Sequence, residues 1–547
     1  MRTRPRELAL VIAAACLATV VFTWPLVGRF GSAGRIDSGD GRFSVWNVAW
    51  VAHALTTNPG RLWDANIFYP HPQALAYSEA NLFAGALAVP VWRLTANPHA
   101  ASNWTILCSF ILTFIVTYLL ARRLTGSRLG ASVAAFEFAF CPFVFAHIPH
   151  VQLLMTFGLA LVLLAMHAYI ERACWSRAIG LGVAMAVAGL ACGYYGVFGG
   201  LMAGLGVLWF SAWEGRWRQP RYWLLALAGA GLAFLIVLPF LLPFIEIRRQ
   251  GFERSLEDAR LFSVAWRSYF ASAQLMDRWM LDLIGRWVDA LFPGFLASLL
   301  MLVALVVTFR RGAAPAERTT RPVVGFYAAL AVLAVWASQG PKGGLYTVLY
   351  ETVPFFALLR APARFGVVVM LAFAVLGAFG AAALLRRVER RRLPLVAGLL
   401  GLALAGSTAG PLPLVDVPPV NPVYRQLAGL PRAPLIEFPF FADRGEIHRH
   451  TLYMLNSTYH WQPLVNGYSD HTPHDAWEAQ PILSTFPSRE AWQILSDLRV
   501  RYVVVHWSLL LDDGPVVRTG VETDPRLRLM VETPEASLYE VVDWSVR

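Results

Sequence analysis

Lysine is almost missing from this sequence. The chain has 547 residues and one lysine, Lys342, so its net charge of +11 is carried by arginine. Charge is scarce altogether: 15% of residues are charged and 57% are hydrophobic, with a mean hydropathy of +0.51. Soluble domains carry about a quarter charged residues. A deficit this large excludes an ordinary soluble globule and fits a helix bundle whose outer surface meets lipid. There are five cysteines, Cys16, Cys108, Cys141, Cys174 and Cys192, with no CxxC and no Cys/His metal spacing. None lies beyond residue 192, so the C-terminal part has no disulfide framework. A Walker loop, a Rossmann fingerprint, a zinc-hydrolase motif and a nucleophile elbow are all missing, which argues against ATP-driven transport and nucleotide-sugar binding. The arginines sit in short clusters between apolar runs, the pattern of cytoplasmic loops rather than of a nucleic-acid surface.

What is present is a series of apolar runs near the ~20 residues needed to cross a bilayer. They fall at about 8–28, 100–121, 129–147, 151–170, 178–193, 195–211, 222–245, 289–309, 322–338, 365–385 and 393–410, which predicts about 11 transmembrane helices. Arg2, Arg4 and Arg6 place the N-terminus inside, and the first run reads as a retained signal anchor. The clusters at Arg122-Arg123, Arg172 with Arg177, Arg216 to Arg221, Arg310-Arg311 and Arg386 to Arg392 belong inside as well. Basic loops on both sides of 178–211 make it a hairpin turning at Gly193-Tyr194-Tyr195-Gly196. Counting 80–95 as a further span would move every later arginine cluster outside, so it is read as interfacial or re-entrant. The chain then divides into a membrane module, 1–410, whose first outer loop is 29–99, and a small outer α/β domain, 411–547. In the loop, Phe43 to Leu55 is aromatic and amphipathic and is expected to lie in the headgroup plane. In the domain, strands are expected at Leu435 to Phe438, Arg501 to His506, Leu527 to Val531 and Ser537 to Val542, with a helix from Ser488 to Leu498.

Several side chains in this layout are suited to chemistry. Asp37-Ser-Gly-Asp40 sets two carboxylates on a glycine-containing turn just beyond the first span. Such a pair suits a divalent cation or a general base, and equally a solvated turn. Glu79 begins the 80–95 segment, where a carboxylate is either functional or an ordinary helix-start charge. His71 lies between two prolines. His147 and His150 bracket an outer turn, suited to a phosphate or to loop polarity. Glu137 is mid-span, a functional candidate or one half of an arginine pair. Arg360 and Arg364 flank Ala-Pro-Ala before a helix, where guanidinium forks suit a lipid phosphate or snorkel among headgroups. In the C-terminal part, Trp461, Asn466, Tyr468, Asp470 and His471 are types that contact sugars and also types that fill cores.

The arrangement resembles the GT-C superfamily of multi-spanning glycosyltransferases, in a poorly characterised bacterial branch. The resemblance rests on the first outer loop opening with Asp37 and Asp40, and on the Tyr69-Pro-His-Pro, Ser78-Glu79, Leu291-Phe-Pro-Gly, Arg360-Ala-Pro-Ala-Arg364-Phe and Ser457-Thr-Tyr-His-Trp elements. It covers nearly the whole chain. It implies a polyprenyl-phosphate sugar donor, an inverting displacement, a glycan, lipid or protein acceptor, and often a divalent cation such as Mg or Mn. By position, Asp40 or Asp37 becomes the base or metal ligand and Glu79 assists. Arg360 or Arg364 binds the donor phosphate, with His71, His147 and His150 as further substrate contacts. Asp37 and Asp40 depart from the adjacent or alternate acidic pair of better-known members. The expected location is a bacterial cytoplasmic membrane with the C-terminal domain on its outer side. A flippase and a non-catalytic assembly factor of the cell envelope are the alternatives.

Overall fold

The computed structural model describes residues 4–249, 251, 254–272, 274–275, 277, 279–284, 289–312, 318–353, 356–386, 394, 396–398, 400–401, 410–510 and 514–545. Among these, eight helices are long and apolar enough to cross a membrane: Pro5–Phe22, Pro98–Thr125, Arg128–Ala146, Val151–Glu171, Gly193–Trp213, Pro220–Arg249, Arg321–Ser338 and Pro362–Leu385. Two shorter apolar helices, Trp175–Ala191 and Phe295–Phe309, fall on expected spans. The expected run 393–410 and the arginines of 387–392 lie mostly outside the described residues. The 178–211 stretch does break into a hairpin, at Cys192 and Gly193. Leu10, Leu17, Leu227, Leu235, Val306 and Val332 are 65–72% exposed on these helices. So many large apolar side chains facing outward need lipid around them. The chain is a multi-pass membrane protein.

The chain forms two compact units. The first contains residues 1–28, 105–242 and 251–412. Its centre is the helix Gly366–Leu385, buried almost throughout and packed on Phe295–Phe309, Arg128–Ala139 and Arg321–Ser338. A helix buried on every side reads as uniformly apolar, which is why this run shows no periodicity. Glu7 fastens the first helix to its neighbours by accepting from Arg122 at 2.7 Å and Tyr118 at 2.9 Å, with Arg128 at 3.2 Å. Glu137 is enclosed against Gly377, and neither of its oxygens has a hydrogen-bond partner among the described residues.

The second unit contains residues 29–104, 243–250 and 413–547, so the first loop and the C-terminal segment belong to one body. Its sheet runs in the order Leu435–Phe438, Tyr502–His506, Ala536–Val541, Leu527–Glu532, the first pair parallel and the others antiparallel. All four strands fall where the sequence places them, as does the helix Arg489–Asp497, capped by Ser488. Ile436, Phe438, Val503, Val505 and Trp492 form the apolar core beneath. The loop is laced to this domain. Asn66 donates to Ser457 Oγ and to the Gln462 carbonyl, and the amides of Phe68 and Tyr69 donate to the carbonyls of Asn466 and Leu464. Ala33–Gly34 pairs with Val415–Asp416, reinforced by an Arg29–Asp416 ion pair.

One local expectation changes, and the reading of 80–95 as something other than a span fits the structure. The helix Gly39–Thr57, which contains the aromatic stretch Phe43 to Leu55, is covered by protein rather than lying open to headgroups. Trp46 is 1% exposed and donates to Asn66, and the buried Trp50 donates to the Leu62 carbonyl. The helices Leu82–Thr95 and His450–Ser457 pack along it. Aromatic periodicity marks a surface that must be covered without naming the cover. Leu82–Thr95 has 14 residues with Pro90 inside it. It rises only about 21 Å, short of the roughly 30 Å hydrocarbon core.

Candidate active site

The acidic turn of the second unit is built by the start of the helix Gly39–Thr57. Ser38 caps it by accepting from the Gly41 amide at 3.2 Å. Only glycine fits at 41, because a Cβ there would lie 1.8 Å from the Arg35 carbonyl oxygen. Asp40 occupies the first turn and is exposed, a position the positive end of the helix dipole favours for a carboxylate. Asp37 lies outside the helix and accepts from Arg35 through both oxygens, at 3.0 and 3.2 Å. Partial burial acts to raise its pKa, but the Arg35 guanidinium, with smaller help from a backbone hydrogen bond and Arg42, holds the carboxyl below its ordinary range.

Glu79 belongs to the same unit. Its backbone carbonyl accepts from Asn47 Nδ2 at 3.0 Å. Asn47 is seven residues beyond Asp40, on the same helical face and about 10 Å along the axis. The structure therefore sets the Glu79 segment on the helix face that carries Asp40. His71 Nε2 lies 3.1 Å from Asp475 Oδ1. Nearby, His471 meets the Tyr77 ring at 5.1 Å and Ser78 donates to Asp470 at 2.9 Å. Asn466 is fully buried and holds the Glu437 backbone through its amide, a packing role. Trp461 is stacked on His53 at 4.5 Å.

Residues the sequence reading did not single out complete this turn. His448 packs against Gly39, where a Cβ would come within 3.0 Å of the histidine Cβ. Arg449 follows it, and Arg42 faces the turn from the helix side. The only sequence signal of His448 and Arg449 is the run Arg444 to His450, which is dense in charge and carries no recognisable spacing.

The first unit gathers a second group. Tyr194, at the tip of the predicted hairpin, accepts the amides of Arg360 at 2.9 Å and Ala361 at 3.1 Å. The Arg364 guanidinium lies 4.1 Å above the Tyr194 ring, a cation–π contact. Phe365 stacks on Phe198 at 4.1 Å. His147 and His150 have ring centroids 6.2 Å apart, and the charges of His150 and Arg364 both act on His147. Leu291 fills the space left by Gly366, where a Cβ would meet it at 2.6 Å. The Leu291-Phe-Pro-Gly and Arg360-Ala-Pro-Ala-Arg364-Phe elements are thus two sides of one contact. That contact brings in Asp289, which the sequence reading missed. Burial pushes its carboxyl up, and Arg364 opposes the rise.

The residues available do not make a metal centre as they stand. Asp37 spends both oxygens on a guanidinium, and no group of three His, Cys, Asp or Glu side chains suited to a metal occurs among the described residues. A divalent cation at Asp37 and Asp40 has to displace Arg35.

No protein-family model matches the sequence, and no curated protein matches it. Solved structures do. The arabinofuranosyltransferase AftD from Mycobacteria aligns over 100% of this chain at 16% identity and a TM-score of 0.63, and the chain spans 40% of AftD's length. The apo oligosaccharyltransferase of Archaeoglobus fulgidus aligns over 92% of this chain and 70% of its own, at 14% identity and a TM-score of 0.48. With membrane-crossing helices and a C-terminal α/β domain, the fold of the chain is that of the GT-C membrane glycosyltransferases.

Proposed function

We propose that this chain transfers a sugar from a polyprenyl-phosphate donor to an acceptor at the outer face of a bacterial cytoplasmic membrane. The observation that carries this reading is an exposed carboxylate, Asp40, at the first turn of a buried helix in a chain with the GT-C fold. Asp40 takes the proton of the acceptor hydroxyl, whose oxygen attacks the anomeric carbon. The bond from that carbon to the phosphate oxygen breaks, and the polyprenyl phosphate leaves with the electron pair. Arg360 and Arg364 receive the phosphate charge, as guanidinium forks suit, and His147 and His150 share it. Glu79 assists Asp40, and His71, held by Asp475, contacts substrate. AftD is an arabinofuranosyltransferase by name, which makes a pentose the first donor sugar to try. No step here runs through a metal.

The test is release of polyprenyl phosphate from a panel of decaprenyl-phospho-sugars by the full chain in nanodiscs. Asp40→Asn and Glu79→Gln should each lower release by at least ~100-fold, the low end of what positioned acid–base groups contribute. Full release by both variants at normal membrane levels refutes the reading and leaves an assembly factor or a flippase.

A further inference from the structure

Beside the acidic turn lie two guanidinium groups that the reaction above does not use. Arg42 is nearly one turn beyond Gly39 on the helix Gly39–Thr57, at the end that packs against His448. Its Nε donates to the Ile36 carbonyl at 3.2 Å. Arg449, next to His448, lies 4.2 Å above the Phe441 ring and donates to Glu446 at 2.9 Å. The two arginines are close enough for their charges to repel, and both are half-buried. Asp37 is the carboxylate that acts on Arg42, and Arg35 already occupies both its oxygens. Like charges held together beside a committed counter-ion are relieved by an anion bridging them. Planar forks suit the oxygens of a phosphate or carboxylate, and the positive end of a 19-residue helix adds to the attraction.

We propose that Arg42 and Arg449 form a receptor for an anionic group on the acceptor, so that the hydroxyl offered to Asp40 belongs to a phosphate- or carboxylate-bearing glycan or lipid. This rests on the glycosyl-transfer reading. The other source of the same chemistry is the phosphate of the donor, and the experiment separates the two.

The full chain in phosphatidylcholine nanodiscs is titrated with glucose 6-phosphate, glucuronate and glucose. In parallel, retention of decaprenyl phosphate is counted by native mass spectrometry. Both anionic sugars should bind more tightly than glucose. Arg42→Gln and Arg449→Gln should each weaken them about tenfold, as loss of a charge-assisted pair does, without changing decaprenyl phosphate retention. Arg42→Lys should fall between, having the charge without the fork. The two arginines come from distant segments, so misfolding of one variant leaves the other to decide. Unchanged anion binding in the variants, or loss of decaprenyl phosphate from them, overturns the proposal. Arg364→Gln tests the underlying reading separately. If it keeps decaprenyl phosphate while Arg42→Gln loses glucose 6-phosphate, the donor assignment fails and the anion receptor stands.

Discussion

Asn47 donates its side-chain amide to the backbone carbonyl of Glu79 at 3.0 Å. One hydrogen bond therefore registers the Glu79 segment against the helix that begins with Asp40. Asn47→Ala removes a bond worth about 1 kcal/mol net and leaves both carboxylates in place. The expected result is about a fivefold lower transfer rate with unchanged amounts of folded protein. Transfer kinetics alongside membrane abundance check it; a rate equal to wild type means that the bond does not set the register.

Asp37 and Arg35 supply a second test. Asp37 is depressed in the folded chain, so its contribution to stability is complete above the unfolded-state value and is lost as pH falls through the folded one. Arg35→Gln removes the main group that opposes burial, so the Asp37 pKa should rise. The same change frees two oxygens, and Mn²⁺ should then bind at the turn more tightly than in wild type. Electron paramagnetic resonance titration of the full chain reads this directly. Equal affinity in both proteins shows that Arg35 is not what keeps a cation out.

Tyr194 does two jobs for the arginines of the first unit. Tyr194→Phe keeps the ring beneath Arg364 and loses the oxygen that accepts from Arg360 and Ala361. Tyr194→Leu loses both. Decaprenyl phosphate retention should fall in the order wild type, Phe, Leu, with a first step of about 1–2 kcal/mol for two hydrogen bonds. If Phe and Leu retain it equally, the ring contact contributes nothing.

His53 sets an acid limit. Burial, with a smaller push from Arg432, lowers its pKa to about 4, against about 6.5 for an ordinary imidazole. It stays neutral in the folded chain while the unfolded chain takes up a proton. Its contribution to stability is therefore full above pH ~6.5 and is lost progressively as pH falls toward 4. His53→Phe keeps a flat ring against Trp461 and removes the proton. Thermal midpoints measured from pH 7 to 4.5 should fall less steeply for this variant; parallel curves would show that His53 is already charged when folded.

Much of this molecule is legible in its residues, for identifiable reasons. Spans and strands follow from the length and period of apolar runs, so Tyr502–His506 and the hairpin at Gly193 fall where expected. The cover on the helix Gly39–Thr57 was not legible, because an aromatic face is the same whether lipid or His450–Ser457 lies against it. The partners of the named site residues were hidden for a different reason. Arg35 is two residues from Asp37 and shows no motif, while His448 reaches Gly39 and Asp289 approaches Arg364 only through packing. Asn466 looked like a sugar contact because an asparagine that binds backbone and one that binds hydroxyls are the same letter.

The joining of residues 29–104, 243–250 and 413–547 into one body has a consequence for the membrane itself. Parts of one folded body stay on one side of a bilayer, so an even number of crossings must separate residue 104 from residue 243. Five helices of membrane-crossing length and the shorter Trp175–Ala191 lie between them, and the count is even only if Trp175–Ala191 crosses in full. With 17 residues it rises about 25 Å, less than the usual hydrocarbon thickness. The bilayer should therefore be pinched at this helix, and a long-chain lipid environment should disfavour the protein.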